Sequence, residues 1–109
     1  MSITVTGKIA EQDYTPKNQI DKPNPAIFRL KALNTIEYMD VIDSMSGANF
    51  TAESLQKIAK YSFISATNLV DENNKPAELN VETLPPMIVL ELSNQVLDMS
   101  TVVDAEKKI

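Results

Sequence analysis

Apolar and polar residues alternate in two short segments of this chain, and the alternation predicts two β-strands. In residues 2–9, SITVTGKI, the apolar Ile3, Val5 and Ile9 are interleaved with threonine and lysine. Alternation returns in residues 26–33, AIFRLKAL. This pattern, rich in β-branched residues, is typical of half-buried strands. The two strands can pair antiparallel, and a lone hairpin needs helices to cover its apolar face.

The segment between these strands, residues 11–25, has a different character. It carries Pro16, Pro23 and Pro25 among many polar side chains. Each proline removes a backbone donor and disfavours helix before it. The segment therefore predicts an extended, exposed loop.

A first helix is predicted after residue 33, where apolar residues recur at three- and four-residue steps. Asn34 is a favourable N-cap, and Glu37 stands three residues later in a variant of the capping box. Gly47 is suited to a left-handed helix end. The predicted buried face consists of Ile36, Met39, Ile42 (or Val41) and Met45.

The second predicted helix runs from about residue 52 to residue 66. Thr51 is its N-cap, and Phe50 and Leu55 are placed to form a hydrophobic staple across it. The predicted apolar face consists of Leu55, Ile58, Ala59, Ser62, Phe63 and Ala66. The polar sequence DENNKP that follows shortly afterwards predicts a turn.

Pro85 and Pro86 are predicted to begin the third helix. Proline is tolerated there because the first helical N–H groups have no partner within the helix. This helix is apolar over more than half of its circumference, so it is either buried on several sides or bound to a partner. Its predicted partner-binding residues are Met87, Ile88, Leu92, Val96 and Met99.

These elements predict one α+β domain over residues 1–109, mainly α-helical. An N-terminal β-hairpin (1–32, strand, loop, strand) would pack on a small bundle of about three to four helices (33–100). The tail at 101–109 has no helix cap and is expected to fray.

Composition narrows the classes of function. The formal net charge is −5, and an acidic surface repels nucleic-acid backbones. The chain has no cysteine and no histidine, which removes disulfides, thiolate zinc sites and the commonest general base. The N-terminal residues do not resemble a signal peptide, and no apolar run is long enough to predict a membrane span.

Three groups of residues are candidates for a chemical site. The carboxylates Glu37, Asp40 and Asp43 are better interpreted as the solvated face of a helix. DENNK at 71–75 resembles the start of a calcium loop, but the glycine expected at its sixth position is replaced by proline. The serines at 44–46 have no histidine to activate them. We therefore expect no catalytic residue, no metal and no cofactor.

Two stretches resemble small tail assembly chaperones of long-tailed bacteriophages. The first, IFRLKALNTIEYMDVIDSM, combines a strand with a capped helix that contains Glu37, Tyr38 and Met39. In the second, a turn of the form V-D-x-x-x-K-P at 70–76 precedes the motif L-P-P-x-hydrophobic at 84–88, which opens a final helix. The resemblance covers roughly residues 26–100.

The resemblance implies a non-enzymatic chaperone in the host bacterial cytoplasm. Such proteins are thought to bind the phage tape-measure protein, keep its helices soluble and recruit tail-tube subunits. A structural tail or neck protein retained in the particle is the alternative, and a regulatory or toxin–antitoxin module is a third reading. A second copy of the chain, in a homo-oligomer, is a further candidate partner, and neither nucleic acid nor a membrane is expected.

Overall fold

The structure, a computed structural model, describes the backbone of residues 10–106 and the side chains of residues 10–101. The elements in chain order are β1 (Glu11–Tyr14), a short 3-10 turn (Lys17–Gln19), β2 (Ile27–Lys31), α1 (Thr35–Ser44), α2 (Ala52–Ser62), β3 (Phe63–Thr67) and α3 (Pro86–Glu106). The fold is α+β, as the sequence predicted. The strand predicted at residues 2–9 lies outside the described residues.

β2 is the central strand of a three-stranded sheet, and β1 and β3 flank it, both antiparallel to it. Phe28 and Leu30 point from β2 into the core. Successive side chains of a strand point to opposite faces, so Arg29 lies on the other face. There its guanidinium contacts the carboxylates of Glu11 at 3.3 Å and Asp13 at 3.2 Å.

Two predictions about the sheet are wrong, and pairing with β2 explains both differences. The first four residues of the predicted loop at 11–25 form β1, where charge pairs with Arg29 stabilise a polar edge strand. The second helix ends at Ser62 instead of residue 66, and the next five residues pair with β2 as β3. The sheet is therefore more than an N-terminal hairpin, because its third strand, β3, comes from residues 33–100, the part of the chain that was predicted to be helical.

The predicted starts of the first two helices are confirmed. The Asn34 side chain accepts from the Glu37 N–H at 2.8 Å, and the Glu37 carboxylate accepts from the Asn34 N–H at 3.0 Å. Thr51 makes the equivalent reciprocal pair with Ser54. α1 ends at Ser44, however, and Gly47 adopts its positive φ of 62° in the turn that follows.

α3 begins as predicted and ends later than predicted. Pro86 is its first residue, and the carbonyl of Pro85 accepts from the N–H groups of Ile88 and Val89 at 3.0 and 3.1 Å. The helix continues through Glu106, so residues 101–106 of the predicted frayed tail are helical. The Ser100 hydroxyl accepts from the N–H of Leu33 at 2.9 Å and joins α3 to the start of α1.

The helices cover one face of the sheet and enclose the core with it. Buried apolar side chains come from β2, the segment after it, α1, α2 and α3. The core residues are Ala26, Phe28, Leu30, Ala32, Leu33, Val41, Ile58, Leu92, Val96 and Met99.

Candidate partner-binding site

The structure separates the five residues that were predicted to bind a partner on α3. Leu92, Val96 and Met99 are buried in the core and are not accessible in this conformation. Ile88 is half-buried, whereas Met87 is 74% exposed. Only the first turn of α3 thus presents apolar surface from the predicted set.

α1 carries a larger exposed apolar surface, on residues that were predicted to be buried. Ile36, Met39 and Ile42 are 77%, 61% and 40% exposed. They follow one another at three-residue steps, which places them along one side of the helix. We call these three residues the α1 stripe. The predicted burial of this face is wrong, and the alternative residue Val41 is the one that is fully buried.

Sequence reasoning missed the α1 stripe because α1 has two apolar sides. Tyr38, Val41 and Met45 form the second, and these side chains pack on or lie in the core. Tyr38, Val41 and Met45 are three and four residues apart, which follows the 3.6-residue helical repeat more closely than the constant three-residue steps of the α1 stripe. Two apolar sides on so short a helix indicate that one of them is exposed to solvent, and this is the signal in the sequence that could have identified the stripe.

The carboxylates of α1 explain how the helix is held with the stripe outward. Asp40 accepts from the Lys57 ammonium at 2.8 Å and from the Tyr61 hydroxyl at 2.5 Å, both on α2. Hydrogen bonds from Lys57 and then Tyr61 lower the pKa of the Asp40 carboxyl. The hydrogen bond to Asp40 raises the pKa of Tyr61. Asp43 is exposed at the margin of the α1 stripe.

A second exposed region is a cleft of about 1050 Å³ beside β3. One wall is the side of α2 that carries Gln56 and Lys60, and the other is the segment at 70–83. Phe63 and Ile64, the first two residues of β3, also line this cleft. Lys57 and Tyr61, which hold α1, do not line this cleft.

A third region joins β1 to the start of α3. Tyr14 donates to the Glu91 carboxylate at 2.6 Å, and the Lys17 N–H donates to the same oxygen at 2.9 Å. Burial, followed by the hydrogen bond and charge of Glu91, raises the pKa of Tyr14 to about 12. Met87 and Ile88 line the open cleft beside this contact.

Asp71 and Ser44, from two of the candidate chemical sites, make local structural contacts. Asp71 accepts from the N–H groups of Asn73 and Lys75 at 2.8 and 3.0 Å, which fixes the turn at 71–75. The Ser44 hydroxyl donates to the Val41 carbonyl at 2.8 Å. Within residues 10–101, no three acidic side chains lie close enough together to hold a metal ion.

Comparisons with known proteins give no relative: no family model matches the chain, and no similar curated protein or solved structure was found. In the part of the chain that the structure describes, no helix is long and apolar enough to cross a membrane.

Proposed function

We propose that this chain is a non-enzymatic protein-binding module that covers apolar helices of another protein. More specifically, it acts as a tail assembly chaperone of a long-tailed bacteriophage, in the host bacterial cytoplasm. Its partner is the tape-measure protein, and it helps to recruit tail-tube subunits. The uncovered α1 stripe is the observation that carries the proposal, and the sequence resemblance supplies the identity of the partners.

The shape of the α1 stripe favours a helical partner. Ile36, Met39 and Ile42 form a row of side chains that can pack into the groove of another helix. Methionine in the middle of the row adapts to different neighbours because its side chain is flexible and polarizable. A surface of this kind suits a partner whose sequence changes along its length.

The size of the stripe favours many weak contacts over one strong contact. An α-helix rises about 1.5 Å per residue, so the row from Ile36 to Ile42 is about 9 Å long. This length matches only one to two turns of a partner helix. A long partner would therefore be covered by several copies of the chain, and the net charge of −5 would help to keep the assembly soluble.

Two exposed methionines allow a matched test of the α1 stripe. Met39 lies in the stripe, and Met87 lies at the start of α3, where the sequence predicted binding; their exposed fractions are 61% and 74%. The chain would be co-expressed with the tape-measure protein of the same phage, and affinity would be measured on the purified components. Met39→Lys is expected to weaken binding by about tenfold, since it removes one apolar contact of roughly 1.5 kcal/mol.

Met87→Lys is the control and is expected to leave the affinity unchanged. If Met87→Lys weakens binding and Met39→Lys does not, the binding site lies on α3 and not on α1. Absence of any complex with the wild-type chain would refute the choice of partner. Mass spectrometry of purified particles separates the alternative, because a structural tail or neck protein is retained in the virion and a chaperone is not.

A further inference from the structure

The two edges of the sheet differ in their protection against another strand. β1 carries Glu11 and Asp13, and charged side chains on an edge oppose pairing with another chain. β3, with the sequence FISAT, has neither a charge nor a proline. Among the described residues β3 pairs only with β2. The N–H of Phe63 donates to the Ala59 carbonyl at the end of α2, so the outer edge that offers backbone N–H and C=O groups to a further strand begins after Phe63.

The side chains that line the cleft beside β3 indicate which sequence an added strand should have. Its apolar lining includes Phe63, Ile64, Val70, Leu79 and Val81. An occupant with one apolar face would cover these side chains and pair with the strand edge at the same time.

The charges around the cleft add a second requirement. Asp71, Glu72 and Glu78 line it, and Lys60 is the basic residue among its lining side chains. The excess of carboxylates favours an occupant with positive charge. The cleft therefore suits an extended segment with apolar alternation and a basic residue.

Residues 2–9 of this same chain have that chemistry. Ile3, Val5 and Ile9 alternate with polar residues, and Lys8 is the single charged side chain of the segment. Eight residues are enough to pair along the five residues of β3.

The topology favours a segment from another copy of the chain. The carbonyl of Ala10 accepts from the N–H of Ala32 at 2.8 Å, so the chain enters the fold at the β1 side of the sheet. The outer edge of β3 is three strand spacings away, about 14 Å at roughly 4.8 Å each. Crossing that distance would use about four residues, at roughly 3.5 Å each. Only half of residues 2–9 would then be left for pairing within one chain.

We infer that residues 2–9 of one copy add as a strand to the outer edge of β3 in a second copy. Main-chain hydrogen bonds supply the affinity, and the apolar and acidic side chains that line the cleft determine the orientation of the added strand. Two copies that exchange this segment reciprocally would form a closed dimer. The α1 stripe takes no part in this contact, because neither its residues nor Lys57 and Tyr61, which contact α1, line the cleft.

The test measures the mass of the full chain by light scattering over a range of concentrations. Ile64→Lys places a charge on the β3 edge, where Ile64 is 47% exposed and tolerates a polar side chain. Val5→Asp changes only the donated segment, outside the described fold, and introduces repulsion from the acidic cleft. Each variant is expected to weaken self-association by about tenfold or more, the scale of one lost apolar contact.

Ile42→Lys is the matched control, since Ile42 is an isoleucine of similar exposure, 40%, on α1. It is expected to leave the mass unchanged. The inference is overturned if the wild-type chain stays monomeric at every concentration, or if Ile64→Lys or Val5→Asp associates like wild type. It is also overturned if Ile42→Lys is the variant that dissociates. Binding to the tape-measure protein is measured separately with Met39→Lys, so either proposal can fail alone.

Discussion

At the scale of single residues, three fully buried serines show how differently one side chain can act in this fold. Ser54 completes the cap of α2, where its hydroxyl accepts from the Thr51 N–H at 2.8 Å. The hydroxyls of Ser62 on α2 and Ser93 on α3 have no hydrogen-bond partner among the described residues. A buried hydroxyl without a partner costs free energy.

Replacement of these serines by alanine should therefore act in opposite directions. Ser93→Ala removes an unpaired buried hydroxyl and is expected to raise the free energy of unfolding by about 1 kcal/mol. Ser54→Ala removes one half of the capping box of α2, the hydroxyl that accepts from the Thr51 N–H, and is expected to lower it by about 1 kcal/mol. Urea unfolding of the two variants measures both changes. Equal destabilisation by both would mean that the Ser93 hydroxyl does have a partner.

Tyr14 provides a titration of the contact between β1 and α3. Its pKa is raised to about 12 by burial and by the Glu91 carboxylate, from an ordinary value of 10.0. A tyrosine with a raised pKa in the folded state stabilises the fold fully below its unfolded pKa and loses that contribution as pH rises through the folded value. The contribution is therefore present at neutral pH and is lost between pH 10.0 and about 12.

The ultraviolet absorbance of phenolate gives a direct measurement of this effect. The signal that is lost in Tyr14→Phe is expected to titrate near pH 12. Glu91→Gln should lower this pKa, since it removes the negative charge, and burial should keep it above the ordinary value. A Tyr14 signal at the ordinary pKa in the wild-type chain would contradict the contact.

At the scale of elements, the sequence was sufficient where a signal was local. The caps at Asn34 and Thr51 and the proline start of α3 depend on neighbouring residues, and all three are found as predicted. The strand predicted within residues 26–33 is also found, as β2, because the alternation of its apolar and polar residues reflects burial of one face of the strand.

The sequence was insufficient where distant residues decide the outcome. FISAT continues an apolar pattern that a helix could also bury, and only pairing with β2 makes it a strand. The polar sequence of β1 predicts a loop, and only its pairing with β2, where Arg29 contacts Glu11 and Asp13, makes it a strand. The outward side of α1 was equally undetermined, because its orientation goes with the burial of Val41 in the core and with the contacts of Asp40 to Lys57 and Tyr61, and all of these involve distant residues.

At the scale of the whole molecule, the two proposed contacts use different elements, α1 and β3, and can operate together. In these proposals the α1 stripe binds a helical partner, and the β3 edge binds another copy of the chain. Each contact of the stripe alone is small. Linked copies raise the effective concentration of stripes along one partner, which strengthens the whole assembly without any new contact.

The exposure of the α1 stripe is tested most directly by observing the methionine methyl groups by NMR, with a soluble paramagnetic probe, before and after adding a helical fragment of the tape-measure protein. In the free chain, we expect strong broadening of the Met39 and Met87 signals and protection of the buried Met99. On binding, Met39 should become protected while Met87 stays accessible. Protection of Met39 in the free chain, or protection of Met87 alone by the fragment, would contradict the claim that the α1 stripe is an open partner-binding surface.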